Sequence, residues 1–256
     1  MRRVRRDWID RVDPRWFALV ISAAIVATQL PVLSTIAGLP AWAGYGALDY
    51  ELYMDATRRW LAGGPFYEPY QLAGPYPIRT GDILYPPVGL WLFVPFTFLP
   101  VAVWWAIPIA VTAWAIARMR PHPLTWPFMV LCLVWPPTMI KLVAGNPLLW
   151  VVAVIALGMQ YRWPIVFALV KPSLFPIVVY GVNRRSWWIA LAAFGLLSLP
   201  FGWMWRDWLT ALLNSRGGGL LYSGAEVPTV LLPIIARVGQ YMRERSRWTT
   251  GNRLAN

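Results

Sequence analysis

The chain has 256 residues, 58% of them hydrophobic and 13% charged, with a mean hydropathy of +0.50. That balance excludes an ordinary soluble domain and describes an all-α, multi-pass membrane protein. The net charge of +12 is carried in short basic clusters at the ends of apolar segments, a positive-inside pattern that argues against a nucleic-acid groove. The single Cys132 sits in an apolar run and His122 is the only histidine, so neither a disulfide framework nor a zinc constellation is available.

Residues 1–15 carry six Arg and three Asp and read as a cytoplasmic N-terminus. The apolar run 16–39 is too long for a signal-peptide core, which predicts an uncleaved first transmembrane helix. An extracytoplasmic loop over residues 40–84 follows. It holds Asp49, Glu51, Asp55, Glu68 and Asp82, five of the eleven acids in the protein, among many aromatic side chains. Carboxylates are scarce in such a chain, and their concentration here marks the loop as the place for chemistry. Tyr53, Ala56 or Thr57, and Trp60 recur at helical spacing, predicting a surface helix over 49–62 that Gly63-Gly64-Pro65 stops. The Pro-, Gly- and Tyr-rich stretch up to Leu84 predicts irregular backbone lining a cavity.

Beyond Tyr85 the chain is apolar to Ala117, with Pro95, Pro100 and Pro108 inside it. The basic pair Arg118 and Arg120 belongs in the cytoplasm, which favours a half-helix followed by one full span. Residues 124–142 rise outward and break at Pro136-Pro137, and the turn with Lys141, Gly145 and Asn146 is extracytoplasmic. Residues 148–157 descend to Tyr161-Arg162. Lys171-Pro172 lies midway between two basic ends, predicting a helix that rises to Lys171, breaks at Pro172 and Pro176, and returns. Residues 186–205 rise again, 206–225 form a second outer loop, 227–238 descend, and 239–256 form a basic cytoplasmic tail. The total is a single membrane domain of about eight crossings or half-crossings, with the eighteen Trp and eleven Tyr serving mainly as interfacial belts.

With this topology, one outer, partly sunken cavity receives Asp49, Glu51, Asp55, Asp82, Arg79, Tyr85, Asn146 and Lys171. Carboxylates facing a buried cation suit deprotonation of a hydroxyl and departure of an anionic group such as phosphate. Structural roles compete at each position. Asp49 also reads as a helix N-cap, Lys171 as a snorkelling or paired lysine, Tyr85-Pro86-Pro87 as a helix start, and Asn146 as a turn residue.

The ordered series Asp49-Tyr50-x-x-Tyr53, Leu61-Ala62-Gly63-Gly64-Pro65-x-Tyr67, Tyr85-Pro86-Pro87, Gly145-Asn146 and Val170-Lys171-Pro172 resembles the membrane glycosyltransferases of the GT-C fold. Within that fold the series looks most like glycosyltransferase family 87, the polyprenyl-phosphate-sugar-dependent mannosyl- and arabinosyltransferases of bacterial envelopes. The resemblance covers roughly residues 45–190. It implies an inverting transfer on the extracytoplasmic face of the inner (cytoplasmic) membrane, from a polyprenyl-phosphate-linked sugar to a glycolipid or glycan acceptor. In that reading Asp49 is the catalytic base. Lys171, Arg79, Tyr85, Asn146, Tyr53, Glu51 and Asp82 are substrate-binding. No cofactor is implied. Family members run to about ten or more membrane segments, so on the C-terminal side the chain reads as a compact enzyme, one that needs a membrane partner subunit, or an inactive scaffold or carrier-binding relative.

Overall fold

The computed structural model describes residues 13–38, 46–79, 81–216 and 224–254. Most of the expected cytoplasmic N-terminus, the start of the first outer loop and residues 217–223 of the second lie outside these. The described chain is all-α apart from one two-residue strand pair.

Helix α1 (Pro14–Gly38) opens with Asp13, whose Oδ1 accepts the Arg15 N–H at 2.9 Å and closes the first turn. Only 6% of its apolar span, Pro14–Val32, is buried. A helix apolar on all sides yet covered on one stripe only presents the remainder to hydrocarbon. Helix α2 (Leu48–Leu61) matches the surface helix expected over 49–62, and Gly63 at φ 86° ends it as the sequence predicts. A short helix α3 (Pro69–Ala73) and strand β1 (Tyr76–Pro77) interrupt the otherwise irregular stretch that follows.

A short 3-10 turn (Pro87–Gly89) with α4 (Leu90–Phe96), and then the long α5 (Val101–Met119), reproduce the expected half-helix and full span. Helices α6 (Trp126–Val134) and α7 (Pro136–Ala144) meet at 57° where Pro136-Pro137 removes backbone donors. Lys141, expected in the turn, lies in the last turn of α7; Gly145 and Asn146 make the turn itself. Helix α8 (Leu148–Tyr161) follows as the central post. Leu148, Val151, Val152, Ala153, Ile155, Ala156, Gly158 and Met159 are buried around its circumference against α5, the next segment and the last helix.

The predicted rise to Lys171 is a 3-10 helix (Trp163–Val170), not an α-helix. At about 2.0 Å per residue, its eight residues climb about 16 Å where an α-helix would climb about 12 Å. The break at Pro172 is where expected, but Pro176 does not make a second one: a 3-10 turn (Pro172–Leu174) is followed by the one-turn α9 (Phe175–Val178), which carries Pro176 in its first turn. Helix α10 (Arg185–Ser198) then bends by 94° into α11 (Met204–Asn214). The first part of the expected outer loop 206–225 is thus helical. Met204, Trp208 and Ala211 form the buried face of α11, a spacing of four and three. Strand β2 (Ser215–Arg216) pairs in parallel with β1, Tyr76 opposite Ser215. The last helix, α12 (Val227–Leu254), continues through the residues assigned to a separate cytoplasmic tail.

By length and composition two helices suffice to cross a membrane, four if each bent pair is one span, beside three shorter apolar helices. The count of about eight is therefore not reached at full-span length among the described residues. Two cores result. One centres on α8 and joins α5, α10, α12 and the 3-10 segment; the other is aromatic, with Tyr53, Phe66, Phe93 and Trp104 at its heart beneath α2 and α11.

Candidate functional site

Asp49 reaches the site because the start of α2 is clamped to the end of α7. The Ala47 N–H donates to the Val143 carbonyl at 3.0 Å, and Ala47 takes the left-handed N-cap position at φ 61°. Asp49 is thus in the first turn of α2, not its cap. The helix dipole favours its carboxylate there, and its Oδ2 accepts from Asn146 Nδ2 at 2.6 Å. Asn146 is held in turn by its own Oδ1, which accepts the Leu148 N–H at 2.9 Å. The turn that presents it needs Gly145 at φ 69°. Two indoles of α5 secure that turn: Trp104 Nε1 donates to Gly145 O at 2.7 Å and Trp105 Nε1 to Leu142 O at 2.6 Å. They add donors at the end of α7, where Leu142 O also accepts the Gly145 N–H at 3.3 Å.

Lys171 sits between the two 3-10 segments and is 6% exposed. Its ammonium donates to Glu226 Oε2, and Lys141 Nζ lies 3.5 Å from Glu226 Oε1. Both side chains of the Lys171–Glu226 pair are 7% exposed. Such a pair holds together in low dielectric, while loss of one partner leaves an uncompensated charge. Sequence reasoning missed Glu226. It is the only acid between Asp207 and Glu244 and immediately precedes an apolar run, which is the signal for an acid drawn into a membrane site.

Asp82 is committed to loop structure. Its Oδ2 accepts the Arg79 N–H at 2.7 Å and its Oδ1 accepts from the Tyr70 hydroxyl. Burial first, and then that bond, push the Tyr70 phenol up to about 12. The backbone around it is pinned by side chains from both directions. Tyr67 Oη donates to Tyr85 O at 3.0 Å, Gln71 Nε2 to Ile83 O at 3.2 Å, and Trp208 Nε1 to Leu84 O at 3.0 Å. Irregular backbone without ladder partners is thereby satisfied by side-chain donors.

These elements enclose one cavity of about 370 Å³ lined by Asp49, Asn146, Lys171, Lys141, Glu226, Arg79 and Asp82, with Tyr53, Tyr85, Leu52, Ile78, Gly81 and Leu84 supplying the rest of the wall. The volume falls within the range of small-ligand sites. Three acids and three bases share its lining, Asp49, Asp82 and Glu226 with Arg79, Lys141 and Lys171, Glu226 being paired with both lysines. Tyr53 stands edge-on to Tyr85 at 5.4 Å and stacks on Phe93 at 4.9 Å, so the aromatic wall is rigid. A narrow crevice lined by Tyr85, Val170, Lys171, Pro172, Trp208 and Leu212 adjoins at Lys171.

Of the residues that the sequence singled out, Asp49, Tyr53, Arg79, Asp82, Tyr85, Asn146 and Lys171 line this cavity. Glu51 is exposed on α2 and does not. Asp55 is exposed as well and pairs with Arg58 at 2.8 Å. Among the described residues no three His, Cys, Asp or Glu side chains are grouped to hold a metal ion. Comparison of the chain with known protein families, with curated proteins and with solved structures finds no match.

Proposed function

We propose that this cavity transfers a sugar, mannose or arabinose, from a polyprenyl-phosphate donor to an envelope glycolipid or glycan on the extracytoplasmic face of the cytoplasmic membrane. One observation carries the reading: a first-turn carboxylate oriented by an asparagine lines the same chamber as the buried Lys171 and the partly exposed Lys141, with a narrow crevice adjoining Lys171. Asp49 Oδ1 takes the proton of the acceptor hydroxyl while Asn146 holds Oδ2. The hydroxyl oxygen attacks the anomeric carbon from the face opposite the leaving group, so configuration inverts. The bond between that carbon and the phosphate oxygen breaks, and the electron pair leaves with the phosphate. Lys171, with Lys141 and Arg79 at the wall, stabilises the charge that grows there, and in a low-dielectric site this lowers the barrier more than it strengthens substrate binding.

The test is transfer from labelled polyprenyl-phosphate sugar by purified protein in lipid discs, with membranes of a deletion strain supplying the acceptor. Asp49→Asn retains the fold and loses about 10²–10⁴-fold in turnover. Transfer by Asp49→Asn at the wild-type rate removes Asp49 as the base. A second reading has its own support, because Glu226 already neutralises the lysines that a phosphate would need. In it the protein is a carrier-binding subunit or scaffold, which binds the lipid-linked sugar with no turnover and tolerates Asp49→Asn.

A further inference from the structure

A second group of charged side chains lies at the other end of the bundle. Helix α5 starts at the chamber side, where Trp104 and Trp105 hold the Gly145 turn, and ends at Arg118 and Arg120. Its nineteen residues separate the two ends by about 28 Å, close to the thickness of a hydrocarbon core. Around that far end are two adjoining cavities. One, of about 570 Å³, lies between α5 and α12 and is lined by Trp114, Arg118, Arg120 and Arg243 among others. The other, of about 830 Å³, lies between the start of α1 and the linker after α5, and is lined by Arg15, Arg120, His122 and Arg243 among others. Arg120 and Arg243 border both.

The wall between them is fixed. Arg243 Nη1 donates to the Arg120 carbonyl at 3.1 Å, and the His122 N–H donates to Gly239 O at 3.0 Å. Gly239 lets α12 press against the linker; a Cβ there would stand 2.4 Å from Thr125 Oγ1. Arg118 is stacked on Trp114, its Cζ 5.6 Å from the ring centroid. Among the described residues of the two linings, four arginines stand with two carboxylates, both engaged: Asp13 caps α1, and Glu244 Oε1 accepts from Gln240 Nε2 at 2.9 Å. Positive charge is thus in excess, held in place, at the level where two apolar spans end. The adjoining surface of α1 and α5 is apolar and open, with Phe17 52%, Val20 65% and Trp114 48% exposed.

We propose that these two cavities form a binding site for an anionic phospholipid, with its phosphate between Arg120 and Arg243 and its acyl chains along the exposed faces of α1 and α5. Charge excess selects the anionic headgroup, and continuity with the apolar surface selects a lipid over a free anion. The site is separate from the chamber at Asp49 and stands whether or not sugar transfer occurs there.

The experiment is thermal unfolding and native mass spectrometry of the full chain in a neutral detergent, titrated with phosphatidylglycerol, phosphatidylcholine or inorganic phosphate. Phosphatidylglycerol raises the unfolding temperature and stays bound as discrete adducts; phosphatidylcholine and inorganic phosphate do neither. Arg120→Gln and Arg243→Gln each weaken phosphatidylglycerol binding about fivefold, as expected for about 1 kcal/mol per basic residue at a headgroup. Arg118→Gln, which leaves the wall intact, weakens it by a similar factor and keeps the proposal testable if the other two misfold. Arg58→Gln on α2 has no effect. An equal response to phosphatidylcholine overturns the proposal. So does saturation by inorganic phosphate alone, or full phosphatidylglycerol binding by a correctly folded variant lacking Arg118 or both shared arginines.

Discussion

Glu226 holds two ammonium groups and therefore decides how a buried lysine can exist in this fold. Removing it takes the shared carboxylate from both Lys141 and Lys171, whereas removing Lys171 leaves Glu226 with Lys141 still 3.5 Å away. Glu226→Gln should therefore be the more destabilising change, by about 3–5 kcal/mol, with Lys171→Met costing less. The double variant should recover most of the loss, since it removes the uncompensated charge. Thermal unfolding of the four proteins gives the coupling; additive losses would rule out a shared ion pair. Lys171, Asp49 and Asn146 stand out in the sequence because polar groups are rare in such apolar surroundings. Their partners do not. Glu226 is 55 positions from Lys171, and no local spacing connects them. Asp82 lines the cavity as well, but the partners of its oxygens, the Tyr70 hydroxyl and the Arg79 N–H, were not legible in the sequence.

The turn between α7 and α8 is the element on which the chamber depends. At Gly145 an added Cβ would stand 2.6 Å from Trp105 Cζ2 and 2.9 Å from Tyr50 Cβ, at a φ that disfavours any side chain. Gly145→Ala should cost about 1–3 kcal/mol and draw Asn146 away from Asp49, which under the proposed function lowers sugar transfer even in the folded fraction. A Gly145→Ala protein with wild-type stability would show that the turn is not under this constraint. Breaks made by proline were legible at this scale, at Pro136-Pro137 and at Pro172, because a missing donor acts locally. The 3-10 winding of Trp163–Val170 was not, since eight apolar residues look alike at either pitch. Helix α11 was hidden by Arg206 and Asp207, which read as loop charges although Trp208 and Ala211 dock on the aromatic core.

For the molecule as a whole, the Asp49 chamber and the Arg120 cavities lie at the two ends of α5 and are expected on opposite membrane faces. In a Cys132→Ser background, Asp55→Cys and Glu244→Cys test this, both positions being exposed. An impermeant maleimide should label Asp55→Cys in intact cells and Glu244→Cys only after permeabilisation; equal labelling of both in intact cells would remove the two-sided arrangement. The all-α class followed from composition. The number of full spans did not, because short, bent and 3-10 segments have the same hydropathy as straight helices.

The pairing of Tyr76 with Ser215 bears on the order of assembly during translation. The first outer segment is made early, yet the groups that close over it arrive about 130 residues later: Trp208 Nε1 donates to Leu84 O, Asn214 Nδ2 donates to Gln71 O, and Ala211 O accepts from Tyr76 Oη. A nascent chain arrested before residue 204 carries that segment with its carbonyls open, and a protease should cut it near Gly74 and Gly81. Arrest with residue 226 clear of the ribosome should bring protection, along with the arrival of Glu226 at Lys171. Ribosomes halted at the two lengths would report the change, and identical cleavage at both would mean the early segment matures by itself.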